Sequence, residues 1–326
     1  MASTTAPGTV AGPRAGRRGR SRSPRPSGVS GAALYRRWWT PLVWVAPTVV
    51  VIAIFGVFPF VNTVVLSFTD AKPLGGGGQF VGLENYRTLL SDPSFWQATR
   101  NSFLYAAIAV PLLVVLPLVL AVLVQDKIPF IGVFRSAFYA PVIASVVAVG
   151  LIWQNLFAEQ GPINTVLQRL HVVSSPIPFL SDSTLILLCA VALTVWKGLG
   201  WYMIFYMAAL GSVPKELYDA AKVDGAGAVR RFLVVTVPGV RLTMLLVGLM
   251  SGIGSLRVFT EIYVLGGPTG GPGGGAQTLP FYIQRAALDP ISGNAGYGAA
   301  ISVALFLMTG VLALVSQRLG SDREDS

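Results

Sequence analysis

The sequence predicts an all-α integral membrane protein that crosses the bilayer six times. Three observations carry this. Only 12% of the 326 residues are charged while 53% are hydrophobic, and the mean hydropathy is +0.65. A soluble chain carries about 25% charge, so lipid must solvate most of this surface. Six runs reach the length of about 20 apolar residues that a spanning helix needs. The loops between them alternate between basic and mixed or acidic.

Residues 1–37 come first and carry Arg14, Arg17, Arg18, Arg20, Arg22, Arg25, Arg36 and Arg37, with no acid before Asp70. Without these eight the net charge falls from +10 to +2. A nucleic acid could meet such a stretch. The simpler reading is a disordered Ser/Pro/Gly/Arg tail on the cytoplasmic side, and no nucleic-acid partner is expected. A secretory signal is not expected either, because the first apolar run is too long and lacks a small-residue cleavage pattern.

The membrane domain is expected over residues 38–318. Its spans are predicted at about 42–66, 101–124, 136–157, 185–210, 242–265 and 297–317. Trp38, Trp39 and Trp44 lead the first and suit an interface. Pro59, Pro111, Pro117 and Pro141 lie inside spans, as kinks or as hinges; membrane helices tolerate them where neighbours satisfy the freed carbonyls. Residues 319–326 form a short C-terminal tail.

Charge orients the spans. Lys127 and Arg135 lie between spans two and three. Lys215, Lys222, Arg230, Arg231 and Arg241 lie between four and five, and Arg318 and Arg323 follow six. The other loops are mixed or slightly acidic, with Arg285 set against Asp289 in the last. The positive-inside rule then puts both termini in the cytoplasm of a multi-pass cell-membrane protein. The lone Cys189 and lone His171 have no partners for a disulfide or a metal site, and both read as structural.

The basic loop at 212–240 holds "DAAKVDGAGAVRRFLVVTVP", residues 219–238. Pro214 suits a first helical turn and Ser212 is placed to cap it. Leu217, Ala220 and Ala221 share one face, and Gly225 is placed to end the helix. A second short helix is expected up to Val237, broken by Pro238. Such a small-residue face can seat in a partner's groove, or the segment can be a membrane-surface connector.

That segment resembles the cytoplasmic "EAA" loop of binding-protein-dependent ABC importer permeases. The residues that carry the resemblance are Asp219-Ala220-Ala221, then Gly225, then Val235, Val237 and Pro238 at matching spacing. Asp219 stands where the family often has Glu. "FVGLENYRTLLSDPSFWQATRNSFLYA", "RSAFYAPVIASVVAVGLIWQNLF" followed by "GPIN", and "FTEIYVLGGPTGG" are similar to segments of the sugar-permease branch, in the same order.

The resemblance implies a type I ABC importer permease fold and a subunit that forms half of a translocation pathway. It implies a second, homologous permease, two copies of a cytoplasmic ATPase and an extracytoplasmic substrate-binding protein as partners. Residues Glu216, Asp219, Ala220, Ala221, Asp224, Gly225 and Pro238 would form the ATPase-coupling segment. ATP and Mg would be held by the ATPase, with no cofactor in this chain. A carbohydrate is the implied solute, with glycerol phosphate or another non-sugar solute as an alternative.

No G-x-x-x-x-G-K-[ST] phosphate loop occurs anywhere. "GGPTGGPGGG", residues 266–275, has no Lys-Ser/Thr after it and reads as a flexible outer connector. No nucleophile-base-acid grouping is visible, so an enzyme is not expected. Ionisable groups at membrane depth are costly and mark function: Lys197, and Arg257 with Glu261, four apart and able to pair. The bland reading is a snorkelling Lys197 and a structural Arg257–Glu261 pair. Trp196, Trp201, Tyr202 and Tyr206 crowd the fourth span and either stack on a solute or pack a core. An autonomous ion-coupled secondary transporter, or a membrane anchor without transport, are the rival readings.

Overall fold

The computed structural model describes residues 39–73, 78–125, 130–289 and 293–321. The Arg-rich tail, Lys127 and Arg323 therefore lie outside the described residues, as do 322–326 of the C-terminal tail. Among the described residues the chain is helical, with one isolated bridge from Thr69 to Phe80 and no strand. Four helices there are long and apolar enough to cross a bilayer, at Pro41–Leu66, Pro93–Leu123, Ser183–Leu210 and Ala295–Arg318. Two further pairs are bent, and counting each pair as one span brings the number to six.

The chain divides into two compact units after Phe58. The first holds α1 (Thr40–Ile52) and five π-helical residues, Ala53–Val57. No described residue of this unit is buried, and Trp44 and Phe55 are 82% and 77% exposed. Apolar side chains turned outward in this way need lipid or a protein partner.

The second unit begins with α2 (Phe58–Leu66, from its second residue) and α3 (Glu84–Ser91). Its centre is α4 (Pro93–Leu123) packed along α8 (Ser183–Leu210), with α12 (Arg241–Leu256) against α4. Asp92 caps α4 by accepting the Ser94 N–H at 2.8 Å, and Pro93 fills the first helical position where no N–H is needed. The helix therefore begins at Pro93 rather than at Asn101. Pro111 and Pro117 lie inside α4 without ending it. Tyr105, Leu113, Leu193 and Ile262 form one buried cluster, and Leu118, Met203, Tyr206 and Val247 form a second.

The expected third span is two helices, α5 (Ile131–Ile143) and α6 (Val146–Leu156), bent by 100°. Ala144 and Ser145 between them are extended, at ψ 140° and 129°. Pro141 cannot donate to the ladder three residues before the break. α5 crosses α8 closely, because a Cβ at Gly200 would collide with the Phe138 carbonyl. α7 (Pro162–Arg169) follows α6.

The fifth span is broken as well. α12 ends at Leu256, and α13 (Thr260–Gly266) starts only after Arg257–Phe259, where Phe259 lies at φ −137°. The Thr278 hydroxyl donates to the freed Val258 carbonyl at 2.7 Å. Before α12, Ala228–Gly239 is helical and bends by 74° onto it. This stretch comprises α10 (Ala228–Arg231), a π segment Phe232–Thr236 and α11 (Val237–Gly239).

Pro238 thus does not break the helix; Val240 does, at ψ 15°. The π register is the reason. The Val237 N–H reaches back to the Phe232 carbonyl, so the ladder has already shifted before the residue that lacks an N–H. The same pattern precedes Pro59, where the Phe58 N–H bonds the Ala53 carbonyl.

Residues 266–275 are not a flexible connector. Gly271 and Ala276 donate backbone N–H groups to the Gly266 and Gly270 carbonyls at 2.8 and 2.9 Å. The Asn101 amide donates to the Gly275 and Gln277 carbonyls, both at 2.8 Å. Gly270, Gly271, Gly273 and Gly274 hold positive φ, so here glycine serves a fixed turn path. The loop leads into α14 (Leu279–Leu288) and α15 (Ala295–Ser321), which pack on each other.

Candidate functional site

The basic loop folds as α9 (Lys215–Val223), begun by Pro214 at the cap position without a side-chain cap. Ser212 therefore does not cap it. The end is as expected. Gly225 lies at φ +74°, the Ala226 N–H bonds the Ala221 carbonyl at 2.9 Å and the Gly225 N–H bonds Lys222 at 3.0 Å. This is the paired C-terminal closure that glycine favours. A Cβ on Gly225 would meet nothing within 4 Å, so within this chain the turn, not crowding, asks for glycine.

α9 buries none of its residues. Glu216, Leu217, Asp219 and Ala220 are exposed, Ala221 is half-buried, and Asp224 and Pro238 are exposed. Val223 and Val229 are 88% and 74% exposed, so apolar side chains surround the charges. Asp219 pairs with Lys222 one turn on at 2.9 Å, a surface pair that contributes little stability. The Tyr218 hydroxyl meets Thr236 Oγ1 at 3.1 Å and ties α9 to the π segment. Beside it opens a cleft of about 500 Å³ lined by Tyr218, Asp219, Lys222, Arg231 and Phe232.

The second group lies halfway along α8. Lys197 Nζ donates to the Pro141 carbonyl at 2.9 Å and to the Ala144 carbonyl at 2.5 Å. Arg257 and Glu261 do not share a helical face, because the break at 257–259 separates them, and they form no ion pair. Tyr105 is fully buried and donates to Thr194 Oγ1 at 2.6 Å and to the Ala190 carbonyl at 3.1 Å.

Trp196 packs against Trp153 with the rings tilted and 5.7 Å apart, while Trp201 packs on Phe205 at 5.8 Å. Those two tryptophans are five residues apart on α8 and point to different faces. Tyr202 is half-buried and Tyr206 is buried in the core. The expected pathway set is therefore divided: Lys197 meets the break between α5 and α6, Trp196 packs against Trp153 of α6, and Trp201 packs against Phe205 of its own helix.

A third group escaped sequence reasoning. Asp92 Oδ2 accepts hydroxyl bonds from Tyr282 and Tyr297, both at 2.5 Å, and so joins α4, α14 and α15. Burial alone would push the Asp92 carboxyl up, but the two hydroxyls and the Ser94 and Phe95 amides outweigh it and hold it below its ordinary value. Burial and the adjacent carboxylate push Tyr282 up to about 12. The only sequence signal was the Asp-Pro pair that opens α4. Among the described residues no group of three metal-ligating side chains comes together.

Residues 93–321 match the family described as "Binding-protein-dependent transport system inner membrane component". The chain is 30% identical over 283 residues to the lactose transport system permease protein LacF of Rhizobium radiobacter, covering 86% of this chain and 94% of that protein. It is 32% identical over 288 residues to the arabinooligosaccharides transport system permease protein AraP of Bacillus subtilis, covering 87% and 90%. Its fold is similar to a chain in the crystal structure of a bacterial ABC transporter involved in the import of the acidic polysaccharide alginate. The TM-score there is 0.73 at 22% identity, with 87% of this chain and 96% of that one covered.

Proposed function

Because the chain belongs to the family of binding-protein-dependent transport system inner membrane components, we propose that it is the permease subunit of an ATP-driven carbohydrate importer. It forms half of the pathway, and a second, homologous permease forms the other half. Two ATPase copies bind ATP and Mg and drive it from the cytoplasm, and an extracytoplasmic binding protein delivers the solute. The alternation of basic loops supports both termini in the cytoplasm of the cell membrane. Relatives named for lactose and arabinooligosaccharides support an oligosaccharide as the solute.

The observation that carries this reading is the exposed helix α9. A short helix closed by Gly225, with small Ala220 and apolar Leu217 left uncovered by this chain, is shaped to enter a partner's groove. Glu216, Asp219, Ala220, Ala221, Asp224 and Gly225 would meet the ATPase. Pro238, past the tie from Tyr218 to Thr236, would pass displacement of α9 to α12 across the bend at Val240. Trp196, Lys197, Trp201, Tyr202, Arg257 and Glu261 remain the proposed pathway group, with the broken spans as their frame.

The test is co-purification. An ATPase should be recovered with the tagged chain, and ATP hydrolysis in lipid should rise on adding the binding protein. Uptake that persists without any ATPase would replace this reading with an ion-coupled transporter.

A further inference from the structure

Lys197 stands in the middle of a 28-residue helix that is long and apolar enough to span the bilayer. A cation at that depth is costly to insert unless it finds partners. Thirteen residues of α5 end beside it, and the last four carbonyls of any helix lack intrahelical partners. In hydrocarbon an unpartnered backbone group is costly, because no water is there to satisfy it. The two problems meet at one point. The ammonium has three donors and places two on the Pro141 and Ala144 carbonyls, at the C-terminal end of α5 where a positive charge is favoured.

We infer that Lys197 is a positioning residue that fixes the 100° break of the third span. This goes beyond the transport reading, since it gives Lys197 a role that does not require contact with the solute. The break in turn decides where α6 lies. α6 is pressed on α13, with Val264 so close that a Cβ on Gly150 would come within 2.7 Å of it, and α13 carries Glu261. α6 also carries Trp153, packed against Trp196 one residue before Lys197. Lys197 thereby holds the end of α5 and the start of α6 in one arrangement, and α6 in turn packs on α13.

The experiment measures the break directly. Phe134 on α5 and Ile152 on α6 are both exposed. Phe134→Cys and Ile152→Cys take spin labels on a Cys189→Ala background in the full-length chain, purified with its accompanying subunits and placed in lipid. At a rise of about 1.5 Å per residue, straightening would lengthen this separation by up to about 10 Å. Lys197→Met should lengthen it by about 5–10 Å, and Lys197→Arg, which still reaches carbonyls, should restore the parental distance. Glu261→Gln should leave it unchanged.

A parental distance in Lys197→Met overturns the inference. So does an equal lengthening in Glu261→Gln, which would give the geometry to Glu261 rather than to the carbonyl contacts. If Lys197→Met cannot be recovered folded, the Arg variant decides: recovery with the parental distance supports the inference, and equal failure overturns it. The measurement needs neither solute nor ATP turnover, so a failed ATPase co-purification would sink the importer reading and leave this one standing.

Discussion

Gly225 holds φ +74°, a backbone state that costs a residue with a Cβ about 1 kcal/mol and a β-branched one more. Asn tolerates that state; Val does not. Gly225→Asn should therefore keep α9 closed and keep ATPase recovery near that of the parent, while Gly225→Val should lose most of it in the same pull-down. Equal loss in both variants would mean that glycine supplies room for the partner rather than the turn. This residue was legible because the helix stop has a local chemical cause. Lys197 was legible as a costly cation but not as a cap, since the carbonyls it meets exist only once α5 has ended. The Arg257–Glu261 pairing failed for a related reason: spacing of four implies one face only while the helix continues.

Among the elements, each apolar run overlaps a helix, but the second helix starts eight residues earlier than expected, at Pro93, and the breaks inside two of the runs were not foreseen. Pro141 hinted at the first break, and nothing local marks the second. The second is held from outside, by Thr278 donating to the Val258 carbonyl. Thr278→Val should leave that buried carbonyl unpaired at a cost of about 1–3 kcal/mol, read as a lower thermal midpoint, whereas Thr278→Ser should stay close to the parent. The glycine loop misled in the same way. Its composition is that of a linker, yet Asn101, far away in sequence, supplies two hydrogen bonds to its carbonyls. Asn101→Ala should release them and speed amide exchange across residues 270–277 roughly ten- to hundred-fold, at about 1 kcal/mol per bond. Unchanged exchange there would leave the loop's order to its own backbone bonds.

At the scale of the whole molecule, hydropathy marks where the apolar helices run, but does not say which ends are tied together. Asp92 is such a tie: one carboxylate oxygen caps α4 and the other collects hydroxyls from α14 and α15, nearly 200 positions later in the chain. No periodicity reports a contact of that separation, which pattern alone leaves among many equivalent polar pairs. The tie has a pH signature. Because the folded carboxyl lies below its ordinary value, its contribution is fully present above about pH 4, the unfolded value. It is lost as pH falls through the lower, folded value. Asp92→Asn keeps a competent helix cap but gives up the charged acceptor that both tyrosines share, so it should melt earlier at pH 7. It should also lack the extra loss that the parent shows below pH 4. The check is the thermal midpoint of the purified chain from pH 3 to pH 7, parent beside variant. Parallel curves throughout that range would assign the acid sensitivity to another carboxylate and remove Asp92 as the clasp of these three helices.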